Sequence, residues 1–484
     1  MSESTPSARK FPLLVPVEGV LIHTDLLAEA VARLARLKPG LLPAVPLWLV
    51  RGGRAAVLAR AAKEVEMGDL GAVFSKPVAA FVEKAMTEGR EVIFLAPEAT
   101  AAKKFLGARF ADCTILTPTD GMPSGGDKLA DALEKRFGPR GYDFIGGPHF
   151  THAALARARE AHAATRLDRP AHLAGARRQV ADLNVLDTVS GTTWKDWLAG
   201  LRFHQWVKNL LLFVPFLSGH HYEGPHQIAG LLTAFVSMGL CASATYLWND
   251  MLDIEFDRLH ANKRKRLLAS GRTSLARAFW LSIALVIVGL AGGFILSPVF
   301  GGVLVFYIVL TVAYSTFLKR LALVDLFVLT SLYLTRIVAG VVVGKTIPSF
   351  WLFAFSFLFF LSLAAAKRRI ELHRHAPEAG GVLRGRGYDT GDAKFLSGLG
   401  ISTGIAAALM LALYSDSAHV RSLYARPEWL WGACVLCLFW ICRVWLLTER
   451  GRLQDDPVVF AMTDKITLLI AALGGLIFLL AQPI

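Results

Sequence analysis

Two different rhythms of hydrophobic and polar positions divide the chain. From residue 11 to about 178, short apolar runs alternate with charged segments of helical character. Phe11–Val17, Glu91–Ala96, Asp112–Thr117, Tyr142–Ile145 and the weaker His172–Gly175 predict strands. Short apolar runs between turn signals suit strands buried on both faces. Segments 24–37, 54–67, 77–87, 99–108, 126–137 and 151–164 predict helices. Such alternation predicts a doubly wound α/β domain over residues 1–180.

From about residue 204 the apolar runs lengthen to what a bilayer requires, about 20 residues each. We read nine: 204–220, 227–248, 275–296, 299–317, 322–343, 348–366, 397–415, 427–447 and 464–482. The first is the weakest, because Lys208 and Asn209 interrupt its start. The expected architecture is therefore multidomain: an α/β doubly wound domain, then an all-α polytopic membrane domain of about nine transmembrane helices at 201–484. Residues 181–200 form the expected linker. There Trp194, Trp197 and Leu198 alternate with Lys195 and lead to Arg202, as an interfacial amphipathic helix would.

Charge sharpens this picture. The chain has 52 Lys and Arg against 38 Asp and Glu, a net charge of +14. Much of the excess lies in short connections between apolar runs: seven basic residues between Asn249 and Ala278, then Lys319 and Arg320, Lys367–Arg369, and Arg443, Arg450 and Arg452. That is the positive-inside pattern of a multi-pass inner-membrane protein, and it disfavours nucleic acid as partner. It orients the even-numbered span ends and the N-terminal domain toward the cytoplasm, with Ile484 outside. The polar opening Met1–Lys10 has no apolar core of a signal peptide, in agreement. The five cysteines give no disulfide framework; Cys434, Cys437 and Cys442 sit in one apolar run without histidine.

The segment Asn249-Asp250-Met251-Leu252-Asp253-Ile254-Glu255-Phe256-Asp257 follows the second span. Asp250, Asp253 and Asp257 stand at i, i+3 and i+7, one face of a helix, and Asn249 shares that side. Carboxylates so close repel unless a cation sits between them, and an all-oxygen set suits Mg²⁺. The alternative is a solvated acidic helix end. Downstream, Lys263, Arg264 and Arg266 suit a multiply phosphorylated substrate, or equally an anchor for anionic headgroups.

These residues carry a resemblance. NDxxDxxxD after the second span is similar to the UbiA superfamily of intramembrane transferases, over residues 195–484. Leu201-Arg202-Phe203-His204-Gln205-Trp206-Val207-Lys208-Asn209 resembles the RxxQWxKN opening of its polyprenyl-phosphate (decaprenyl-phosphate) phosphoribosyltransferase branch. Asp257 to Gly271 resembles the branch's DRxHPxKRxRPIAxG stretch, with Ala261 and Leu267 in place of prolines. Prenyltransferases of the superfamily typically carry a second aspartate pair, DxxxD. Here Tyr314 and Lys319 lead to the single acid Asp325, with Arg336 after it and Lys367-Arg368-Arg369-Ile370-Glu371 beyond.

The resemblance implies a Mg²⁺-dependent glycosyltransferase that moves phosphoribose from 5-phosphoribosyl diphosphate to a polyprenyl phosphate, for cell wall or glycolipid precursor synthesis. It implies Asn249, Asp250, Asp253 and Asp257 at the catalytic centre, the three aspartates holding the metal. Arg202, Lys208, Lys263, Arg264, Arg266, Tyr314, Lys319, Asp325, Arg336, Lys367 and Arg368 would bind substrate. Lys319, Asp325 and Arg336 are expected to form one wall of the site, although Arg336 could instead be a structural partner of Asp325. The competing reading is a prenyltransferase with a polyprenyl diphosphate donor.

In the N-terminal half, Val17-Glu18-Gly19-Val20-Leu21-Ile22-His23-Thr24-Asp25 resembles the DxDGTLIxTD start of haloacid dehalogenase-like phosphatases. Pro16 stands where the nucleophile would be and Glu18 where the acid/base aspartate would be. Leu95-Ala96-Pro97 replaces the phosphate-binding Ser or Thr, and Gly146-Gly147-Pro148-His149 the metal-binding acids, leaving only Lys128. Proline offers neither nucleophile nor ligand. The resemblance thus implies a pseudo-phosphatase domain with a structural, regulatory or homo-oligomerising role. His149 and His152 read as loop histidines rather than metal ligands.

Overall fold

A computed structural model of the chain describes residues 11–66, 74–123, 125–147, 152–166, 170–180, 182–189, 192–219, 222, 224–259, 263–375, 381–383, 386–417, 420–421, 424–453 and 456–481. The chain divides into two compact units. The first is Met1–Leu201 together with Leu247–Ser282; the second is Arg202–Tyr246 with Ile283–Ile484.

The first unit is built on β1 (Leu13–Pro16), α1 (Leu26–Leu37), α2 (Val45–Glu64), α3 (Lys76–Thr87), β2 (Val92–Leu95), α4 (Ala99–Leu106), β3 (Thr114–Leu116), α5 (Asp127–Phe137), β4 (Asp143–Gly146), α6 (His152–Arg157), β5 (Ala161–Arg166), α7 (Pro170–Gln179) and β6 (Asn184–Val189). The strands form one parallel sheet in the order β3-β2-β1-β4-β5-β6. Alternate residues of β1 point to opposite faces: Leu13 and Val15 join one apolar cluster with Leu26, Leu58, Val78 and Phe105, and Leu14 joins another with Leu129, Tyr142 and Leu155. Helices on both faces of a parallel sheet make this the expected doubly wound domain.

Three expectations fail within it. Residues 161–164 end in a strand rather than a helix, and 172–175 lie in helix α7, which opens at Pro170. Proline is pre-organised for a first helical turn. The expected linker contributes β6, whose pairing with β5 extends the sheet to residue 189. The tryptophan-bearing helix of the join is present as α8 (Trp194–Gly200), held by a Thr193–Asp196 capping box with Trp194 exposed.

Eight of the nine expected spans correspond to helices. They are α10 (Pro225–Leu252), α12 (Leu275–Leu296), α13 (Pro298–Thr316), α14 (Val324–Gly344), α15 (Phe350–His375), α16 (Ala393–Ser415), Leu430–Glu449, and a pair bent by 79°, Pro457–Thr463 with Lys465–Ala481. Seven are long and apolar enough to cross a membrane singly, so the chain is an integral membrane protein. The expected span at 204–220 is instead a 3-10 segment, Phe203–Phe213, followed by short helix α9 (Val214–Gly219). Within the second unit it packs on α14, where a Cβ on Gly340 would meet the Leu212 carbonyl oxygen at 2.1 Å. Pro39–Glu64 also passes on length and hydropathy, but Gly52 and Gly53 break it.

Candidate functional site

In the first unit, α10 ends at Leu252 and the short helix α11 (Ile254–Leu259) resumes after Asp253. The backbone bonds Asp253 N–H to Asn249 O and Asp257 N–H to Asp253 O, 2.9 and 3.0 Å, carry a helical path through the break. Asp250 and Asp257 are thereby stacked, and both are buried. One guanidinium nitrogen, Nη1 of Arg266, donates to Asp250 Oδ1 at 3.2 Å and to Asp257 Oδ2 at 2.7 Å. Burial pushes the Asp257 carboxyl up from its ordinary value; Arg266 and Lys263 oppose this and neighbouring Asp250 reinforces it.

Arg266 therefore stands where a cation between the two carboxylates would stand. Among the described residues, no group of three His, Cys, Asp or Glu side chains is close enough to hold a metal. The expected triad is thus drawn together only at Asp250 and Asp257, while Asn249 and Asp253 are half-buried beside them. The donor set still fits Mg²⁺: it is all oxygen, partly desolvated, and its charge is balanced by the half-buried Arg266. Lys263 and Arg264, on the 3-10 turn Lys263–Lys265, are exposed.

Among the described residues, the second unit holds two buried polar clusters and a third that is half-buried. In the first, Asp325 at the start of α14 is fully buried. Arg368 of α15 grips both of its oxygens and also bonds Glu371. Tyr314 Oη donates to Asp325 at 2.9 Å and accepts from Arg368 at 2.7 Å and Arg386 at 2.8 Å. Removing one partner of such a buried pair typically costs about 3–5 kcal/mol. In the second, Arg336 of α14 donates to Asn209 Oδ1 at 2.9 Å and Tyr307 Oη at 3.2 Å, and lies over the Tyr307 ring at 5.0 Å. In the third, Asp456 accepts from Lys367 at 2.7 Å and Lys208 at 3.5 Å, and Lys208 faces the Tyr333 ring.

Asp325 and Arg336 are thus in different clusters, so Arg336 is not the structural partner of Asp325. Eleven residues along one helix separate them by about 16 Å. Lys319 is buried on the 3-10 turn Leu318–Arg320. Arg202 adopts a left-handed conformation, φ 53°, with its guanidinium 5.0 Å from the centre of the Tyr246 ring.

Sequence reasoning missed Arg386, Tyr307 and Asp456. Asp456 precedes a proline and caps helix Pro457–Thr463, so it reads as an ordinary N-cap. Its position between two lysines was the hidden signal. Tyr307 could have been found as a polar tip inside an apolar run.

Comparison with known proteins bears on this arrangement. The UbiA prenyltransferase family matches residues 212–466, just over half the chain. The chain is 33% identical to uncharacterized protein y4nM of Sinorhizobium fredii, over 98% of this chain and 92% of that protein. It is 34% identical to nodulation protein NoeC of Azorhizobium caulinodans, over 59% of this chain and 96% of NoeC. It is 32% identical to decaprenyl-phosphate phosphoribosyltransferase of Mycobacterium tuberculosis, over 56% of this chain and 89% of that enzyme. The chain belongs to the UbiA prenyltransferase family of intramembrane transferases.

Proposed function

We propose that the chain transfers phosphoribose from 5-phosphoribosyl diphosphate to a polyprenyl phosphate. The observation that carries this reading is the state of Asp325. It is fully buried and neutralised by Arg368 and Arg386, so it offers no second carboxylate site for a metal-bound prenyl diphosphate. Among the described residues, the carboxylates arranged for a diphosphate are those of 249–257, and cations dominate the clusters of the second unit. The relative named decaprenyl-phosphate phosphoribosyltransferase supports a phosphoribosyl group as cargo and a polyprenyl phosphate as acceptor.

In this reading the bond between ribose C1 and the diphosphate oxygen breaks, and a lipid phosphate oxygen bonds to C1. Mg²⁺, when bound by Asp250, Asp253 and Asp257, supplies charge neutralisation to the departing diphosphate. Asn249 orients the donor beside them. Arg266 releases the carboxylates and, with Lys263 and Arg264, grips the diphosphate oxygens. Within the second unit, Arg202, Lys208, Lys319, Arg336 and Lys367 supply cations suited to a phosphate, and Tyr314 and Arg368 hold that region in shape. The attacking oxygen is already anionic, so no general base is needed. The site faces the cytoplasm, where the soluble donor resides. We read the N-terminal sheet domain as a pseudo-phosphatase, a reading supported by Pro16 at the end of β1, where the resemblance puts a nucleophile.

The test supplies membranes bearing the protein with polyprenyl phosphate and labelled phosphoribosyl diphosphate. Label should enter the lipid fraction in a Mg²⁺-dependent manner. Asp250→Asn and Asp257→Asn should each slow transfer by about 10²–10³-fold. Label remaining in the aqueous phase, with consumption of a polyprenyl diphosphate instead, would establish the prenyltransferase reading.

A further inference from the structure

The aspartate segment does not stand alone within the first unit. Glu29 of α1 accepts two hydrogen bonds from the Arg258 guanidinium, 2.6 and 3.0 Å, across 229 residues of sequence. Both side chains are buried, and Thr24 Oγ1 donates to Glu29 at 2.7 Å. One and two turns further along α1, Arg33 and Arg36 pair with Glu255, and Arg36 lies 4.0 Å from the centre of the Phe256 ring. Glu29, Arg33 and Arg36 are at i, i+4 and i+7, a single face of the helix. Beside them Ala28 and Ala32 pack on an apolar cluster of Ile254, Leu268, Leu275 and Ala278.

The other end of α1 is equally tied. Asp25 caps it through Ala28 N–H at 3.1 Å, and Glu18, just beyond β1, accepts Leu26 N–H at 2.8 Å. Arg54 of α2 joins Glu18 and Asp25 at 3.0 and 2.9 Å. In the residues that follow β1 the sheet domain therefore holds a helix anchor rather than a catalytic pair, and the anchored helix grips α11 by residues 255, 256 and 258. These flank Asp257.

We infer that the N-terminal α/β domain is a working part of the transferase: Glu29 is a positioning residue that, through Arg258, fixes Asp257 and its helix for the diphosphate. The inference rests on the reading of 249–257 as the diphosphate site, and it gives the sheet domain a task in which no phosphatase chemistry survives.

The experiment uses the full chain with Glu29→Gln, which keeps the shape and removes the charge, and Arg36→Leu, which loosens the rim of the same contact. Hydrogen exchange reports the amides of 253–259, and initial rates report kcat and KM for the diphosphate donor. Glu29→Gln should accelerate exchange at 253–259 while leaving the sheet strands protected, and raise KM for the donor about tenfold with a smaller change in kcat. Arg36→Leu should give the same pattern in weaker form. Unchanged exchange at 253–259 in both variants would overturn the inference, whatever the substrate proves to be. Faster exchange with unaltered donor KM would also overturn it, by reducing Glu29 to a structural role. A wild-type chain that uses a different diphosphate leaves the exchange readout intact, so the two readings fail separately.

Discussion

At the scale of single residues, the polar groups of the molecule differ in how they meet the cost of burial. Asp250 and Asp257 share one arginine, whereas Asp325 is enclosed by two arginines and a tyrosine. His162 in β5 has no such help. It is buried against the Phe81 ring, 4.7 Å between centroids, and neither ring nitrogen makes a hydrogen bond. Glu160 approaches only to 3.9 Å. Burial holds the imidazole below its ordinary value of about 6.5, with Asp143 and Glu160 opposing. The folded domain then binds fewer protons than the unfolded chain, so stability rises with pH across this window. The contribution is full above about pH 6.5 and is lost as pH falls through the lowered folded value. Thermal melts at pH 7 and pH 5 should show a smaller acid loss for His162→Phe than for the wild type; equal losses would refute it.

At the scale of elements, hydropathy located most of the membrane helices and missed the form of one segment. Residues 204–220 read as a weak span despite Lys208 and Asn209, but the 3-10 winding of Phe203–Phe213 is invisible in composition, since hydrogen-bond pitch leaves no mark on hydrophobicity. At about 2.0 Å per residue its eleven residues extend over about 22 Å, further than an α-helix of that length. The segment fits because α14 presents a bare backbone at Gly340. Gly340→Ala should drive a methyl into the Leu212 carbonyl and destabilise the second unit by about 1–3 kcal/mol. Gly302→Ala, at a position with nothing within 4 Å of the added carbon, is the matched control. Similar melting of the two variants would contradict this packing. The alanine-rich run Ala161–Arg166 misled in the other direction: its helical propensity is overridden because β4 and β6 offer a ladder on each side.

At the scale of the whole molecule, the order of apolar runs foretold two kinds of architecture but not where they divide. Residues 249–274 look like an inter-span loop, and yet 247–282 belong compactly with the α/β domain. Nothing near Arg258 announces Glu29, because ion pairs between distant segments have no local signature. The stacking of Asp250 on Asp257 was legible, since residues at i and i+7 share one face of a helix. Their arginine was legible only as a nearby basic residue. Residues 191–484 expressed alone should still enter membranes but transfer at a rate at least about tenfold lower, as α11 would lack its partner. Wild-type turnover by that fragment would show the sheet domain to be dispensable.

The pairing of Glu29 with Arg258 also imposes an order on biosynthesis. A ribosome adding about 5–20 residues per second reaches Arg258 roughly 10–50 s after Glu29. The last strand, β6, ends 69 residues before Arg258, so the sheet domain has roughly 3–14 s of that interval in which to close, with Glu29 held by Thr24. The aspartate helix is then made against a template already in place, while the later spans are still to be translated.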